Sequence, residues 1–213
     1  DIIDINILIE LLKDLGVEVK KIKSNTYSFK AENIDLDYLT SSEFKIKGTK
    51  IRGSIMILGP LLARFGKGYI PKPGGDKIGR RRLDTHFLSF EKLGANFEFD
   101  EKESFYKVST KGLKGNYILL EEASVTGTAN VVMTAVMAKG TTTIYNAACE
   151  PYLQQLCKML NSMGANIKGV GSNFLKIEGV STLSGTRHKI LPDMIEIGSF
   201  IGLAAMTKSD ILI

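Results

Sequence analysis

Apolar residues at Ile5, Leu8, Ile9, Leu12 and Leu15 recur every three or four positions, which predicts an amphipathic helix that Gly16 stops. Val17-Glu18-Val19-Lys20 then alternates with the period of a strand, Lys23-Ser24-Asn25 turns, and Thr26–Phe29 returns. The same figure of helix, Leu-Gly stop and hairpin comes back twice. Leu93-Gly94-Ala95-Asn96 leads into strands at 97–99 and 105–109, and Met163-Gly164-Ala165-Asn166 into strands near 167–170 and 174–177. Recurrence of one supersecondary figure marks an internally repeated fold, and three units are read, the first cut at its N-terminus.

Between these figures, Phe44-Lys45-Ile46 reads as a short strand. The segments 52–58 and 60–65 read as two short helices ended by Gly66, and Asp84 reads as the cap of a helix carrying Phe87, Leu88, Phe90 and Leu93. Further on, 116–120 reads as a strand, Ser124–Thr128 opens a helix to about Ala138, and β-branched Thr141–Tyr145 forms a strand. Glu150-Pro151 starts a helix with Leu153, Leu156, Cys157, Leu160 and Met163 on one face. Asp193, with Glu196 three residues on, opens a last helix through about Ala205. Helices and strands alternate throughout, so the fold class is α/β (α+β).

A hydrophobic share of 44% in 213 residues supplies a core for one large domain or two small ones. The net charge of +5 favours anionic ligands mildly and carries no nucleic-acid signature. Cys149 and Cys157 lack the spacing of a zinc site, and Cys157 reads as a small buried hydrophobe. Low cysteine usage fits a reducing cytoplasm. The longest apolar run, 55–63, is broken by Gly59 and Pro60 and is too short to span a bilayer, so no membrane association is expected. No basic leader opens the chain, and both ends read as cuts within a longer protein.

The most concentrated chemistry lies in Pro71-Lys72-Pro73-Gly74-Gly75-Asp76-Lys77-Ile78-Gly79-Arg80-Arg81-Arg82-Leu83-Asp84. Prolines and paired glycines exclude regular structure there, and three arginines offer planar donors that match phosphate or carboxylate oxygens. Asp76 stands alone among these cations, which hold it ionised unless bound anions or burial offset them. Read by composition alone, the stretch is equally a solvated loop. Ser124-Val125-Thr126-Gly127-Thr128, at a strand-to-helix junction, suits anion binding by free N–H groups, but serves plain N-capping as well. Arg52 is by itself an ordinary surface cation. Neither His86 nor His188 has a partner pattern that marks it as catalytic.

The loop resembles that of the bacterial UDP-N-acetylglucosamine enolpyruvyl transferases, whose usual pattern is P-G-G-C-x-I-G-x-R-P-V-D-x-H. Here Pro73-Gly74-Gly75-Asp76-Lys77-Ile78-Gly79, Arg81, Leu83-Asp84 and His86 follow it, with Asp76 replacing the usual cysteine and Arg82 the usual proline. An aspartate there is a known variant within the family. Three weaker motifs occur in the same order. Arg52 in Ile51-Arg52-Gly53-Ser54 matches the arginine of M-R-x-S, Ser124–Thr128 matches S-V-[TG]-x-T, and 191–198 resembles L-P-D-R-I-E-T-G. Asn146–Pro151 matches N-A-A-R-E-P but carries Cys149 for arginine, and Tyr152 also departs from the pattern.

The resemblance implies one inside-out α/β barrel domain of three βαβαββ-type repeats, occupying 1–213, N-terminally truncated and ending near the start of a second domain. It implies transfer of the enolpyruvyl group of phosphoenolpyruvate to UDP-N-acetylglucosamine, the first committed step of peptidoglycan synthesis, with no cofactor and no metal. The reaction would join two small-molecule substrates between the two domains of one chain. Asp76 would be the general acid and Arg81 would neutralise the substrate phosphate. Arg52, Arg81, Arg82, Leu83, Asp84, Thr85, Glu122, Ala123, Ser124 and Val125 would line the nucleotide-sugar pocket. Glu122 stands where many members have lysine, so a phosphate contact from that side chain is not expected. Members with the loop cysteine are inactivated by fosfomycin through that thiolate, so Asp76 implies insensitivity. Glu150, Asp193 and Glu196 are read as structural. The alternatives are a shikimate-3-phosphate enolpyruvyl transferase, which shares the architecture, and a non-catalytic anion-binding domain on the same scaffold.

Overall fold

The computed structural model describes residues 2–75 and 82–213. Seven helices and nine strands are described: α1 (Ile3–Asp14), β1 (Glu18–Lys23), β2 (Thr26–Lys30), α2 (Ser42–Gly48), α3 (Leu58–Phe65), β3 (Lys67–Pro71), α4 (Asp84–Lys92), β4 (Ala95–Asp100), β5 (Phe105–Thr110), β6 (Tyr117–Leu119), α5 (Val125–Ala135), β7 (Thr141–Tyr145), α6 (Pro151–Ser162), β8 (Asn166–Lys168), β9 (Phe174–Glu178) and α7 (Met194–Thr207). Two 3₁₀ segments, Asp37–Thr40 and Arg52–Ile57, complete them.

The recurring figure is real. Gly16, Gly94 and Gly164 all adopt positive φ, of 100°, 91° and 106°, directly after α1, α4 and α6. That conformation carries no steric cost for glycine, and it turns the chain from each helix into its hairpin. The run from β6 to β9 is one complete βαβαββ unit, with order β6-β7-β9-β8, β6 and β7 parallel and the other pairings antiparallel. The unit before it keeps α3, β3, α4 and an antiparallel sheet of order β3-β5-β4. Only α1 and the β1-β2 hairpin represent the first unit.

A helix, α5, lies at the centre of the fold. α5 is buried over most of its length and packs against α3, α4 and α6. Its small residues permit this: a Cβ at Gly59 of α3 would stand 2.8 Å from the Asn130 carbonyl oxygen, and one at Gly127 would stand 2.8 Å from Thr85 Cγ2. The strands offer alternate residues to this centre, as with Leu175 and Ile177 of β9. α7 differs: Asp193 caps it, accepting from the amides of Ile195 and Glu196, but none of its residues is buried. Among the described residues no helix is long and apolar enough to cross a membrane.

Two local expectations fail. The segment 44–46 is helical, within α2. Ser41 Oγ accepts from the Phe44 amide at 3.1 Å and starts the helix, and the tertiary core selects its period. Phe44 is 0% exposed and Ile46 60%, whereas a strand would place both on one face. Asp84 is not the cap of α4. Leu83 holds that position, and Asp84 is the first helical residue. Its carboxylate is bound instead by Arg82, from Nε and Nη2. A carboxylate in the first turn still complements the helix dipole.

Candidate functional site

The N-terminal base of the arginine-rich loop is fixed by close backbone approach. A Cβ on Gly74 would lie 1.6 Å from the Thr49 carbonyl oxygen, and one on Gly75, at φ 90°, would lie 3.1 Å from Arg52 Cβ. Any side chain at 74 must therefore push the loop off the 49–52 segment. Gly74→Ala is expected to lower stability by about 2 kcal/mol, read from denaturant midpoints. An unchanged midpoint would show that this approach is not maintained in solution.

Beyond that base, Arg52 opens the second 3₁₀ segment and donates from Nη2 to the Arg82 carbonyl at 3.1 Å. The 49–52 segment, against which Gly74 and Gly75 lie, is thus tied to Arg82 at the far side of the loop as well. Arg52, Lys72, Arg82, Leu83 and Asp84 line a cleft of about 690 Å³, together with Phe87, Leu88, Glu91, Phe97, Tyr106 and Glu121. The cleft combines cations for an anionic ligand, carboxylates that can accept from a polar one, and an aromatic wall.

The start of α5 forms a second feature beside α4. Ser124 accepts from the Gly127 amide at 3.1 Å and receives the Thr128 amide on its carbonyl at 2.8 Å. This leaves the Val125 and Thr126 amides as first-turn donors without intrahelical partners. Glu122 and Ala123 precede it in an exposed loop, and Glu122 Oε1 accepts from Thr85 Oγ1 at 3.4 Å. The Glu122 carboxylate is thereby turned onto α4.

Beneath both features lies a buried polar knot. Asn130, fully buried on α5, donates from Nδ2 to the Ile55 carbonyl at 2.9 Å and to His86 Nδ1 at 3.0 Å, and accepts from the Gly59 amide at 3.1 Å. With Nδ1 accepting, His86 carries its proton on Nε2, which faces Thr126 Oγ1 at 3.4 Å. One amide therefore joins the Arg52 segment, α3, α4 and α5. Asn130→Ala is expected to cost on the order of 3 kcal/mol, because three buried groups lose their partner. A loss below about 1 kcal/mol by urea denaturation would contradict this.

Burial, and to a lesser extent the Arg52 charge, depresses the His86 pKa from about 6.5 to about 4. The fold holds the neutral ring. Its contribution is complete above about pH 6.5 and is lost as pH falls towards 4, by about 3 kcal/mol in all. Urea midpoints of the parent chain should fall over that window by more than those of His86→Gln; equal slopes would remove His86 as their cause.

The family model described as EPSP synthase (3-phosphoshikimate 1-carboxyvinyltransferase) matches residues 1–213. The chain belongs to this family. It is 64% identical, over all of its residues, to a protein of Bacteroides thetaiotaomicron called UDP-N-acetylglucosamine 1-carboxyvinyltransferase, and 59% identical to the Porphyromonas gingivalis protein of that name. The chain spans about half the length of these relatives, 49% of each. Among solved structures it resembles the enolpyruvyl transferase NikO from Streptomyces tendae, with a TM-score of 0.72 at 16% identity over 94% of this chain and 47% of that one. EPSP synthase from Acinetobacter baumannii matches with a TM-score of 0.64 at 17% identity, over 94% of this chain and 44% of that one. These structures bear on the fold, which is the enolpyruvyl transferase α/β fold.

Of the residues singled out from sequence, Arg52, Arg82, Leu83 and Asp84 meet in one cleft of this family member. Thr85, Glu122, Ala123, Ser124 and Val125 gather at the neighbouring junction of α4 and α5. Asp76 and Arg81 lie outside the described residues. Glu150 sits at the N-cap of α6 without a side-chain cap bond, and its Oε2 is buried without a partner among the described residues. Cys157 is buried, which pushes its thiol up to about 11 and keeps it inert, while Cys149 is exposed. Sequence reading missed Asn130 and the aromatic wall. A lone asparagine in an apolar helix was the available signal for the first. The second needed the pairing of β4 with β5.

Proposed function

We propose that the full-length protein transfers the enolpyruvyl group of phosphoenolpyruvate to the 3′-hydroxyl of UDP-N-acetylglucosamine, releasing phosphate, in the cytoplasm as the first committed step of peptidoglycan synthesis. The observation that carries this reading is 64% identity, across every residue of the chain, to a relative bearing that activity in its name. On this reading residues 1–213 form most of one barrel domain and end near the start of a second, and α7, apolar and without a buried residue, belongs against that second part. The 213-residue stretch alone is then inactive.

The chemistry is addition followed by elimination. The sugar hydroxyl gives its proton to a base as its oxygen bonds to C2 of phosphoenolpyruvate and C3 takes a proton from the acid; a proton then leaves C3 as phosphate departs from C2, which regenerates the vinyl group. Asp76 supplies the proton as general acid, and the anionic substrate itself offsets the neighbouring arginines that would otherwise keep the carboxylate ionised. Arg81 neutralises charge on the departing phosphate. Arg52, Arg82, Leu83, Asp84 and Thr85 hold the nucleotide sugar with Ser124 and Val125, whose helix start directs N–H groups at anionic oxygens. Glu122 and Ala123 complete the wall without contacting phosphate.

Phosphate release by the full-length gene product, given phosphoenolpyruvate with either UDP-N-acetylglucosamine or shikimate 3-phosphate, tests the reading. Turnover with the nucleotide sugar alone is expected. Turnover with shikimate 3-phosphate would favour the other transferase, and no turnover with either would leave an anion-binding domain.

A further inference from the structure

Phe87 of α4 stacks on Phe97 of β4 with ring centroids 4.2 Å apart. The ring of Tyr106, on β5, lies 4.8 Å from Phe87 and 4.7 Å from Phe99. Three neighbours therefore fix the Tyr106 ring, and it reaches the cleft together with Arg52, Arg82 and Asp84. Among the described residues none exchanges a hydrogen bond with its hydroxyl. Burial raises its pKa, and the two charges that act on it are the Arg52 guanidinium and the Asp84 carboxylate. The hydroxyl is protonated at neutral pH and stands in the field of one cation and one anion of the site. Packing against Phe87, Phe97 and Phe99 would be satisfied by phenylalanine, so the oxygen has no structural task on the described surface. A rigid phenol in a cationic cleft is an economical donor to a ligand oxygen, because little side-chain freedom remains to be lost on binding.

We infer that Tyr106 is a specificity-determining residue of the cleft, donating its hydroxyl hydrogen to an oxygen of the nucleotide half of the substrate. The inference rests on the function proposed above. It assigns the aromatic wall to nucleoside-diphosphate recognition rather than to the enolpyruvyl donor.

The test uses the full-length gene product and UDP as probe. By calorimetry, Tyr106→Phe should bind UDP about tenfold more weakly than the parent, the scale of one lost hydrogen bond. Its KM for phosphoenolpyruvate and its melting temperature should stay unchanged. Phe99→Leu, which removes one of the three ring contacts and spares the hydroxyl, should lose much less UDP affinity than Tyr106→Phe. Equal UDP affinity in Tyr106→Phe and parent overturns the inference, as does an equal loss in Phe99→Leu. A parent protein that releases phosphate from phosphoenolpyruvate when given UDP-N-acetylglucosamine, while Tyr106→Phe binds UDP normally, would sink the Tyr106 assignment and leave the transferase reading standing. A parent that binds UDP through Tyr106 but releases no phosphate would do the reverse.

Discussion

Asp76→Asn in the full-length protein is expected to lower turnover by about 10²–10⁴-fold, the usual worth of a positioned general acid, with UDP-N-acetylglucosamine affinity retained. Asparagine keeps the size and the hydrogen-bonding oxygen but has no proton to deliver to C3. On the proposed reading the nucleotide sugar is held by Arg52, Asp84 and the start of α5, so its binding should not depend on residue 76. On that reading, the arginines that follow Asp76 in the sequence favour its ionised form when the site is empty, and it then has no proton to give. Phosphoenolpyruvate brings a carboxylate and a phosphate and cancels that field. The pH dependence of turnover should therefore report a higher acid pKa in the ternary complex than in the free enzyme. Near-normal turnover by Asp76→Asn would remove the residue from proton transfer.

The second large effect is pharmacological. The full-length protein should retain its activity through prolonged incubation with fosfomycin, and Asp76→Cys should lose activity progressively, gaining a covalent mass at residue 76. Opening of the epoxide requires a strong nucleophile, and a thiolate next to arginines is one. A carboxylate in the same field is a weak nucleophile whose charge the arginines stabilise further. Progressive inactivation of the parent protein, with the adduct on Asp76, would contradict this.

The gap between motif and site has a physical origin. Arg52 and Arg82 are thirty residues apart, and their contact depends on one guanidinium reaching one carbonyl across the mouth of the loop. Gly74 and Gly75 were legible as chain breakers, yet their stronger constraint is the lack of room for a Cβ against Thr49 and Arg52, which depends on how two distant segments cross. Asp84 shows the limit from the other side. Its residue type and position suit a cap, but Arg82 two residues earlier binds the same carboxylate, and Leu83 takes the cap position. Phe44-Lys45-Ile46 fits either period over three residues, and only the buried side of Phe44 and Gly48 against α1 and β3 chooses the helix.

Local chemistry was enough for the three hairpin figures, the positive-φ glycines behind them, the capped starts of α5 and α7 and the order of the loop motif. Each depends on residues within a few positions of one another, whose dihedral preferences and hydrogen bonds act before any long-range packing. The inward placement of α5, the knot of Asn130 with His86, and the convergence of Arg52, Asp84 and Tyr106 in one cleft join residues between twenty-two and seventy-five positions apart. Those depend on three-dimensional closure: burial makes an unpaired amide costly and forces partners from separate helices to meet, a condition that no stretch of chain contains within itself.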